Sequence, residues 1–447
     1  MKSIITFTGI LKKILPSPFA LAVFLTYFTF ILAFIFTPNN EKTPHIIAIT
    51  GYWAKGFWEL LAFTTQMILI LVLGYVLALT KPVEILLNKI TGKINSTASA
   101  AFWVTFLTVI FGYLNWGLAL IFGAVFAKKL AERFSTRKQP FNYPLIAAAG
   151  YTGLLVWHGG LSGSAPLKVA EKGHFLFDEI GVVPLSETLF STMNILMFFA
   201  FLVILPMVMV FMAKKDDEIL ININFEKEKN QDSKQFALSF GERADNSRIL
   251  SLSFALLFFV AAGYSVYKSH GNGVITLDFI NFILFGLAIL FTPNLKSFMN
   301  LANKSIGSAT GILVQFPLYA GIMGIMKYSG LFLVFTDFFI HISNSYTLPV
   351  FTFFSAGIVN FFVPSGGGQW AVQGPVIIEA AKQLGVPVSK VIMALAYGDE
   401  WTNMLQPFWA LPLLGITGLK AKDIVPYTFV LFLVSGVIFI TFLLLNF

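Results

Sequence analysis

The strongest constraint on this chain is the recurrence of apolar runs about 20 residues long, the length at which a helix crosses a hydrocarbon core of about 30 Å. Residues 17–37 contain no charged side chain, and comparable stretches lie at 59–79, 187–213, 249–267, 305–326 and 424–446, with a shorter one at 277–292. Hydrocarbon offers backbone N–H and C=O groups no partner, so runs of this kind predict helices. Composition agrees: 12% of the 447 residues are charged and 57% are hydrophobic, whereas a soluble chain needs roughly 25% charged residues to cover its surface. The chain therefore reads as an all-α polytopic membrane protein with about nine spans. The first run lacks the small-x-small exit of a cleaved leader and passes into Thr37-Pro38-Asn39-Asn40, so it is expected to stay in the protein.

With 50 Phe and no Cys, disulfides, thiolate metal sites, iron–sulfur clusters and cysteine nucleophiles are excluded. The formal charge of +8 does not point to nucleic acid, because Lys and Arg mostly flank the apolar runs as topology signals do.

Three apolar stretches do not read as simple spans. Residues 97–127 lie between Lys81, Lys89 and Lys93 on one side and Lys128, Lys129, Arg133, Arg137 and Lys138 on the other. Both flanks look cytoplasmic, and two full crossings need about 40 residues. A re-entrant hairpin turning near Gly112, Asn115 and Gly117 fits. The stretches 140–167 and 389–415 can span but carry Gly, Pro and polar residues at mid-depth, which predicts broken helices. This threading puts most of the basic residues in cytoplasmic segments, with the N-terminus inside and the C-terminus outside. Residues 214–248, opening Lys214-Lys215-Asp216-Asp217-Glu218, read as a charged cytoplasmic linker between the units 1–213 and 249–447.

The two units echo one another. Gly112 and Asn115 match Gly357 and Asn360 at an offset of 245, Tyr151 and Pro166 match Tyr397 and Pro412 at 246, and Gln66 and Thr80 face Gln315 and Ser329 at 249. The second hairpin, residues 347–381, enters from outside in this threading, which makes the repeats inverted. Inverted repeats with paired hairpins and broken helices are the mark of a secondary transporter working by alternating access.

Candidate site residues cluster at the breaks. The second hairpin turns at Val363-Pro364-Ser365-Gly366-Gly367-Gly368-Gln369-Trp370. Three glycines let the backbone approach a small ligand, and N–H groups opening the next helix suit a carboxylate; the plain alternative is a tight turn. Ser365, Gly366, Gly367, Gly368 and Gln369 are thus expected on the substrate, with Asn115 and Asn360 at the two turns. The window Trp157-His158-Gly159-Gly160-Leu161-Ser162-Gly163-Ser164-Ala165-Pro166 offers Trp157, His158 and Ser164, with freed carbonyls and hydroxyls for a substrate or small cation. His158 is the one histidine placed inside the membrane, His45, His174, His270 and His341 falling in external segments; its alternative role is a packed ring with one nitrogen bonded to a carbonyl.

The second broken helix carries Tyr397-Gly398-Asp399-Glu400-Trp401-Thr402-Asn403-Met404-Leu405-Gln406-Pro407. An ionised carboxylate at that depth costs on the order of 3 kcal/mol, which calls for a reason. Asp399 is favoured as the coupling group, for a cation or as a proton carrier, and Glu400 stands second. Neighbouring residues point about 100° apart on a helix, so both should face one site only where the chain is unwound. Thr402 and Asn403 are further substrate candidates, and Trp370, Trp401 and Trp409 could wall a short acyl tail.

The runs Asn360–Pro375 and Tyr397–Gly415, with Trp157-His158-Gly159-Gly160 and Gly56-Phe57-Trp58-Glu59-Leu60-Leu61, strongly resemble the bacterial short-chain fatty acid transporter family, and the resemblance extends over essentially the whole chain outside 214–248. It implies the ion-transporter superfamily fold of two inverted repeats, each with a re-entrant hairpin and an unwound helix. It also implies uptake of acetoacetate, butyrate and similar monocarboxylates across the inner membrane. Related dicarboxylate carriers bind sodium at the hairpin tips; these tips lack their Ser-Asn-Thr signature, so the coupling ion stays open between Na+ and H+. No other cofactor and no fixed metal is expected.

The partners implied are a small monocarboxylate and the lipid bilayer, with a homodimer allowed. Rival readings are a dicarboxylate carrier or a cation/proton antiporter, although no Lys or Arg falls well inside a proposed span, Lys390 standing at the edge of 389–415. An aspartyl membrane enzyme is more remote. Tyr397-Gly398-Asp399 approaches a GxGD motif, but Ala396 replaces its first glycine, and HExxH, GxSxG and P-loop patterns are absent. No catalytic residue is expected.

Overall fold

Each apolar run folds as a helix in the computed structural model, which describes residues 18–39, 41–59, 61–114, 116–170, 174, 176–215, 239–268, 277–331, 333–334, 341–361 and 366–445. These helices are Pro18–Phe36, Leu61–Ala78, Thr192–Lys215, Arg248–Lys268, Leu277–Phe291, Thr310–Ser329 and Ala421–Leu444. No strand occurs among the described residues. Four helices among them are long and apolar enough to cross a membrane unaided: Thr97–Leu114, Thr192–Ala213, Arg248–Lys268 and Ala421–Leu444.

Several boundaries depart from expectation. The run expected to start at 305 begins inside the preceding helix, because Leu295–Ile306 and Thr310–Ser329 meet at 56° across the turn Gly307–Ala309; Gly307 and Ser308 are poor helix formers. Two helices lie outside the apolar runs. His45–Phe57 packs on Thr310–Ser329, where a Cβ built on Gly324 would lie 2.5 Å from the Gly56 Cα, and such small-residue contacts hold helices together where lipid leaves no hydrophobic drive. Lys81–Thr91 lies beside Trp116–Thr136, where Lys129 Nζ reaches Asn88 Oδ1 at 3.3 Å and Arg133 Nη2 donates to the Gly92 carbonyl at 2.9 Å. Those contacts explain why the first hairpin's second arm runs to Thr136 rather than 127. Of the linker, residues 216–238 lie outside the described residues, and Ser239 opens a short helix, Phe240–Asp245, through a capping box with Glu242.

Both hairpins fold back on themselves. Thr97–Leu114 and Trp116–Thr136 bring the rings of Phe111 and Phe122 to 4.6 Å, positions that an unbroken helix would hold about 16 Å apart. Leu348–Asn360 and Gly366–Leu384 are tied by Gln369 Nε2 to the Ala356 carbonyl at 2.9 Å and Gln373 Nε2 to Ser355 Oγ at 3.2 Å.

Both broken helices are present. The first consists of Tyr143–Ala149, a 3-10 turn Thr152–Leu155, an irregular stretch through Gly163, and Ser164–Val169; Asn142 caps it by accepting from the Leu145 N–H at 3.0 Å. The second runs Val388–Thr402, breaks, and resumes as Pro407–Thr417. Pro407 has no N–H to give the preceding turn and holds Gln406 extended, at φ −82° and ψ 122°.

In each half a hairpin arm presses on the broken helix through glycine. A Cβ on Gly153 would lie 2.6 Å from the Thr108 carbonyl oxygen, and one on Gly398 would strike the Phe353 carbonyl. One on Gly112 would strike the backbone of Gly153, and one on Gly357 would lie 3.3 Å from the Gly398 carbonyl oxygen. The two broken helices also touch directly, Tyr151 Oη donating to the Asn403 carbonyl at 2.9 Å.

Candidate functional site

The irregular stretch of the first broken helix lies against the acidic pair of the second. The His158 backbone N–H donates to Glu400 Oε2 at 2.8 Å, and its ring Nδ1 lies 2.7 Å from Asp399 Oδ2. Nε2 accepts the Ala165 N–H at 3.1 Å, which leaves the ring proton on Nδ1, donated to Asp399. All three residues are buried. The ring also stacks on Trp157 at 4.5 Å. Both ring nitrogens are therefore occupied inside the protein, closer to the packed-ring alternative than to a free ligand.

The expectation that Asp399 and Glu400 could share a site only in unwound chain is corrected. Both sit within the continuous helix Val388–Thr402, yet both reach His158, one taking its ring and the other its main chain. A single residue spanning the sector between two adjacent helical side chains serves both.

The second hairpin tip closes on the same place. A Cβ on Gly366 would lie 2.5 Å from His158 Cε1, while one on the exposed Gly367 would lie 3.8 Å from the Cβ of half-buried Ser164. Gly366, Gly367 and Gly368 open the helix Gly366–Leu384. His158, Ser164, Gly366, Gly367, Asp399 and Glu400, chosen from three separate windows, thus form one cluster. Asn115 and Ser365 lie outside the described residues.

Asn360, Thr402 and Asn403 form an adjoining network. Asn360 Nδ2 donates to the Asp399 carbonyl at 2.7 Å and reaches Thr402 Oγ1 and Asn403 Oδ1, each at 3.0 Å. Its own carbonyl accepts Gln406 Nε2 at 2.7 Å. Gln369 is buried between the hairpin arms, its amide shared between Ala356 and Gln373. Among the described residues, Asn360 Oδ1, Gln369 Oε1, Asn403 Nδ2, Glu400 Oε1 and Trp157 Nε1 are buried with no hydrogen-bond partner. That concentration of unspent polar atoms suits a polar ligand, since burying such groups unpaired costs about 1–3 kcal/mol each.

The expected aromatic wall is rearranged. Trp409 packs with Trp116 at 5.1 Å and with Trp157 at 6.3 Å. Trp370 is buried against Gly374, and Trp401 stacks on Phe432 at 4.1 Å while donating to its carbonyl. Neither joins Trp409, because Trp370 stands on the helix Gly366–Leu384 and Trp401 lies across the break that separates Val388–Thr402 from Pro407–Thr417. Trp116 was not singled out from sequence.

Asn194 was missed as well. On the helix Thr192–Lys215 it donates through Nδ2 to the Gly159 and Leu189 carbonyls, both at 2.7 Å, and accepts Tyr397 Oη at 2.9 Å. The available signal was one amide at the head of an otherwise apolar span. His174 is buried in its own loop, bonded to the Gly181 carbonyl at 2.7 Å. No group of three His, Asp or Glu side chains among the described residues could hold a metal ion.

Known proteins agree with the motifs. The profile of the family described as "Short chain fatty acid transporter" matches residues 2–446. A protein of Escherichia coli (strain K12), named "Putative short-chain fatty acid transporter", is 40% identical over 438 residues, covering 97% of each chain. One of the same name in Haemophilus influenzae is 37% identical over 448 residues, again covering 97% of each. Among solved structures, the efflux pump MtrF of Neisseria gonorrhoeae is 13% identical with a TM-score of 0.44, covering 97% of this chain and 96% of that one; backbones agreeing that loosely transfer no residue role. The Escherichia coli and Haemophilus influenzae relatives are named as transporters rather than enzymes, and a small-molecule substrate and a multi-pass place in a membrane come with that family. The chain belongs to the short-chain fatty acid transporter family.

Proposed function

We propose that the chain carries short-chain monocarboxylates of the acetoacetate and butyrate class across the bacterial inner membrane by alternating access, coupled to an ion gradient. The observation that carries this reading is the meeting of Gly366 and Gly367 with His158 and Ser164 beside the buried pair Asp399 and Glu400. The N–H groups that open the 19-residue helix Gly366–Leu384 suit a carboxylate, and the Ser164 hydroxyl adds a donor. Trp157, Asn360, Gln369, Thr402 and Asn403 supply the surrounding polar and aromatic surface, with Asn115, Ser365 and Gly368 completing the proposed set.

The inverted-repeat reading gains support from the glycine contacts. Thr108 with Gly153 and Phe353 with Gly398 make the same close approach, and each pair is related to the other by 245 positions. This register runs one residue off the spacing that pairs Tyr151 with Tyr397. Units 1–213 and 249–447 would then rock about the site, their hairpins entering the membrane from opposite sides. A dicarboxylate is less well served, since the hydrogen bonds of His158, Asp399 and Glu400 among the described residues go to no Lys or Arg.

The test is uptake of radiolabelled acetate, butyrate, acetoacetate and succinate into proteoliposomes holding the purified chain, with proton and sodium gradients imposed in turn. Butyrate and acetoacetate should accumulate and succinate should not. Preference for succinate would move the chain to the dicarboxylate class.

A further inference from the structure

We infer that Glu400 is the proton-binding group of this transporter, loaded through a one-water cavity whose other polar side chains are Asn194 and Tyr113. The inference rests on the transport reading above and sharpens it, choosing the proton over a metal cation and Glu400 over Asp399.

Glu400 is completely buried. Its Oε2 takes the His158 N–H, the Gly159 N–H also faces the carboxyl, and Oε1 has no well-aligned hydrogen-bond partner among the described residues. A cavity of about 10 Å³ lies against it, with Asn194, Tyr113 and the Gly159 main chain as further polar walls and Val156, Met197, Phe198 and Phe201 on the apolar side. That is room for about one water, which needs two to four polar partners to stay.

The side-chain hydrogen bonds around the cavity favour one state of Oε1. Asn194 commits Nδ2 to the Gly159 and Leu189 carbonyls, Tyr397 commits its hydroxyl to Asn194 Oδ1, and Tyr113 commits its own to the Leu189 carbonyl at 3.3 Å. The walls therefore offer acceptor lone pairs on Asn194 Oδ1 and Tyr113 Oη and no unspent side-chain hydrogen. With Glu400 protonated, Oε1–H donates to the water, and the water gives its two hydrogens to Asn194 and Tyr113, so every group is paired. With Glu400 ionised, the water turns a hydrogen toward Oε1 and its own lone pairs find no side-chain donor, the one main-chain N–H at the cavity, that of Gly159, being turned to the carboxyl itself. A hard metal cation surrounds itself with about six oxygens or more, and a cavity of about 10 Å³ has no room to gather that many around an ion.

The titratable groups facing Glu400 are Asp399 and Tyr397 on its own helix, His158, and Tyr113 on Thr97–Leu114. Of the other elements packed on that helix, Leu348–Asn360 carries no titratable side chain. Gly366–Leu384 carries Glu379 and Lys382 on exposed positions, and Lys168 is exposed too. Lys422 and Asp423 stand in the first turn of Ala421–Leu444, and Lys214 and Lys215 at the far end of Thr192–Lys215. Among the described residues no Lys or Arg side chain is bonded to Glu400. Binding adds one proton to Oε1 and removes one negative charge from the interior, leaving the bond from the His158 N–H in place. One proton travelling with one monocarboxylate anion carries no net charge.

The experiment is infrared difference spectroscopy of the full chain in lipid nanodiscs across pH, in H₂O and D₂O. A protonated-carboxyl C=O band is expected at neutral pH, shifting in D₂O, lost in Glu400→Gln and kept in Asp399→Asn. A wild type without that band, or a band surviving Glu400→Gln, overturns the inference. Should Glu400→Gln fail to fold, Tyr113→Phe keeps the ring on Phe198 and removes one cavity acceptor; it should shift the band, while Tyr75→Phe should not, and an unmoved band in Tyr113→Phe is equally fatal. In proteoliposomes a proton gradient should drive uptake of radiolabelled butyrate, a sodium gradient should not, and Glu400→Gln should lose accumulation while keeping exchange. Absence of butyrate uptake by the wild type under either gradient strikes the transport reading alone, because the infrared band does not depend on it.

Discussion

His158 Nδ1 lies 2.7 Å from Asp399 Oδ2, joining residues 241 positions apart in a contact from which solvent is excluded. The Ala165 N–H on Nε2 fixes the tautomer, so the ring acts as a strut between the two broken helices rather than as a free base. Removing one partner of a buried polar pair leaves the other uncompensated, at a cost of about 3–5 kcal/mol when it is charged. His158→Ala and Asp399→Ala should each lower the melting temperature in detergent by several degrees. The double variant should be clearly more stable than the sum of the two losses. Simple additivity in that cycle would mean the pair is not coupled.

Adjacent glycines at the second hairpin tip should behave differently. A Cβ on Gly366 meets the His158 ring at 2.5 Å, whereas one on Gly367 makes only an ordinary contact with Ser164. Gly366→Ala should therefore reduce both thermal stability and uptake. Gly367→Ala should leave stability unchanged and raise the KM for butyrate, by crowding the backbone approach to the carboxylate. Equal melting losses in both would contradict this division, and an unaltered KM in Gly367→Ala would leave the tip a turn.

Close packing of hairpin on broken helix should be equally intolerant in both halves. Gly153→Ala would push on the Thr108 carbonyl and Gly398→Ala on that of Phe353, and overpacking of this kind costs about 1–3 kcal/mol. Both should lower the yield of folded protein, measured by size-exclusion profile after extraction. Gly263→Ala, whose Cβ meets nothing within 4 Å, should gain slightly, by up to about 1 kcal/mol of helix propensity. A tolerated Gly153→Ala beside a damaging Gly398→Ala would argue against equivalent roles.

What could be read from sequence was whatever hydropathy and backbone chemistry write locally. Apolar length gave the helices, and Gly163, Pro166 and Pro407 gave the breaks within a few residues. The convergence of His158, Ser164, Gly366 and Asp399 followed from asking which polar groups a membrane interior tolerates. Relations set by rotation about a helix axis were not legible. Trp401 and Trp409 look alike in the chain but face Phe432 and Trp116 respectively, and Asp399 and Glu400 meet one residue because another segment crosses between them. Lys81–Thr91 was missed for a related reason, since its stabilising contacts with Lys129 and Arg133 come from another helix. Asn194 belongs to the same class, its value lying in three partners on distant segments.

Motion of the hairpin tip against the first broken helix is open to a direct chemical test, because the chain has no cysteine of its own. The 3.8 Å between the Ser164 Cβ and a Cβ built on Gly367 matches the Cβ separation of a relaxed disulfide, about 3.5–4.5 Å. The double variant Ser164→Cys with Gly367→Cys should cross-link under mild oxidant, seen as a mobility shift on non-reducing gels after cleavage in the 216–238 segment. Either single variant should not. If alternating access requires the tip to leave Ser164, the oxidised protein should stop both uptake and exchange, and reductant should restore them. Efficient cross-linking with undiminished transport would make tip and broken helix one rigid body, and the moving boundary would have to be sought at Asn194 and the span that carries it.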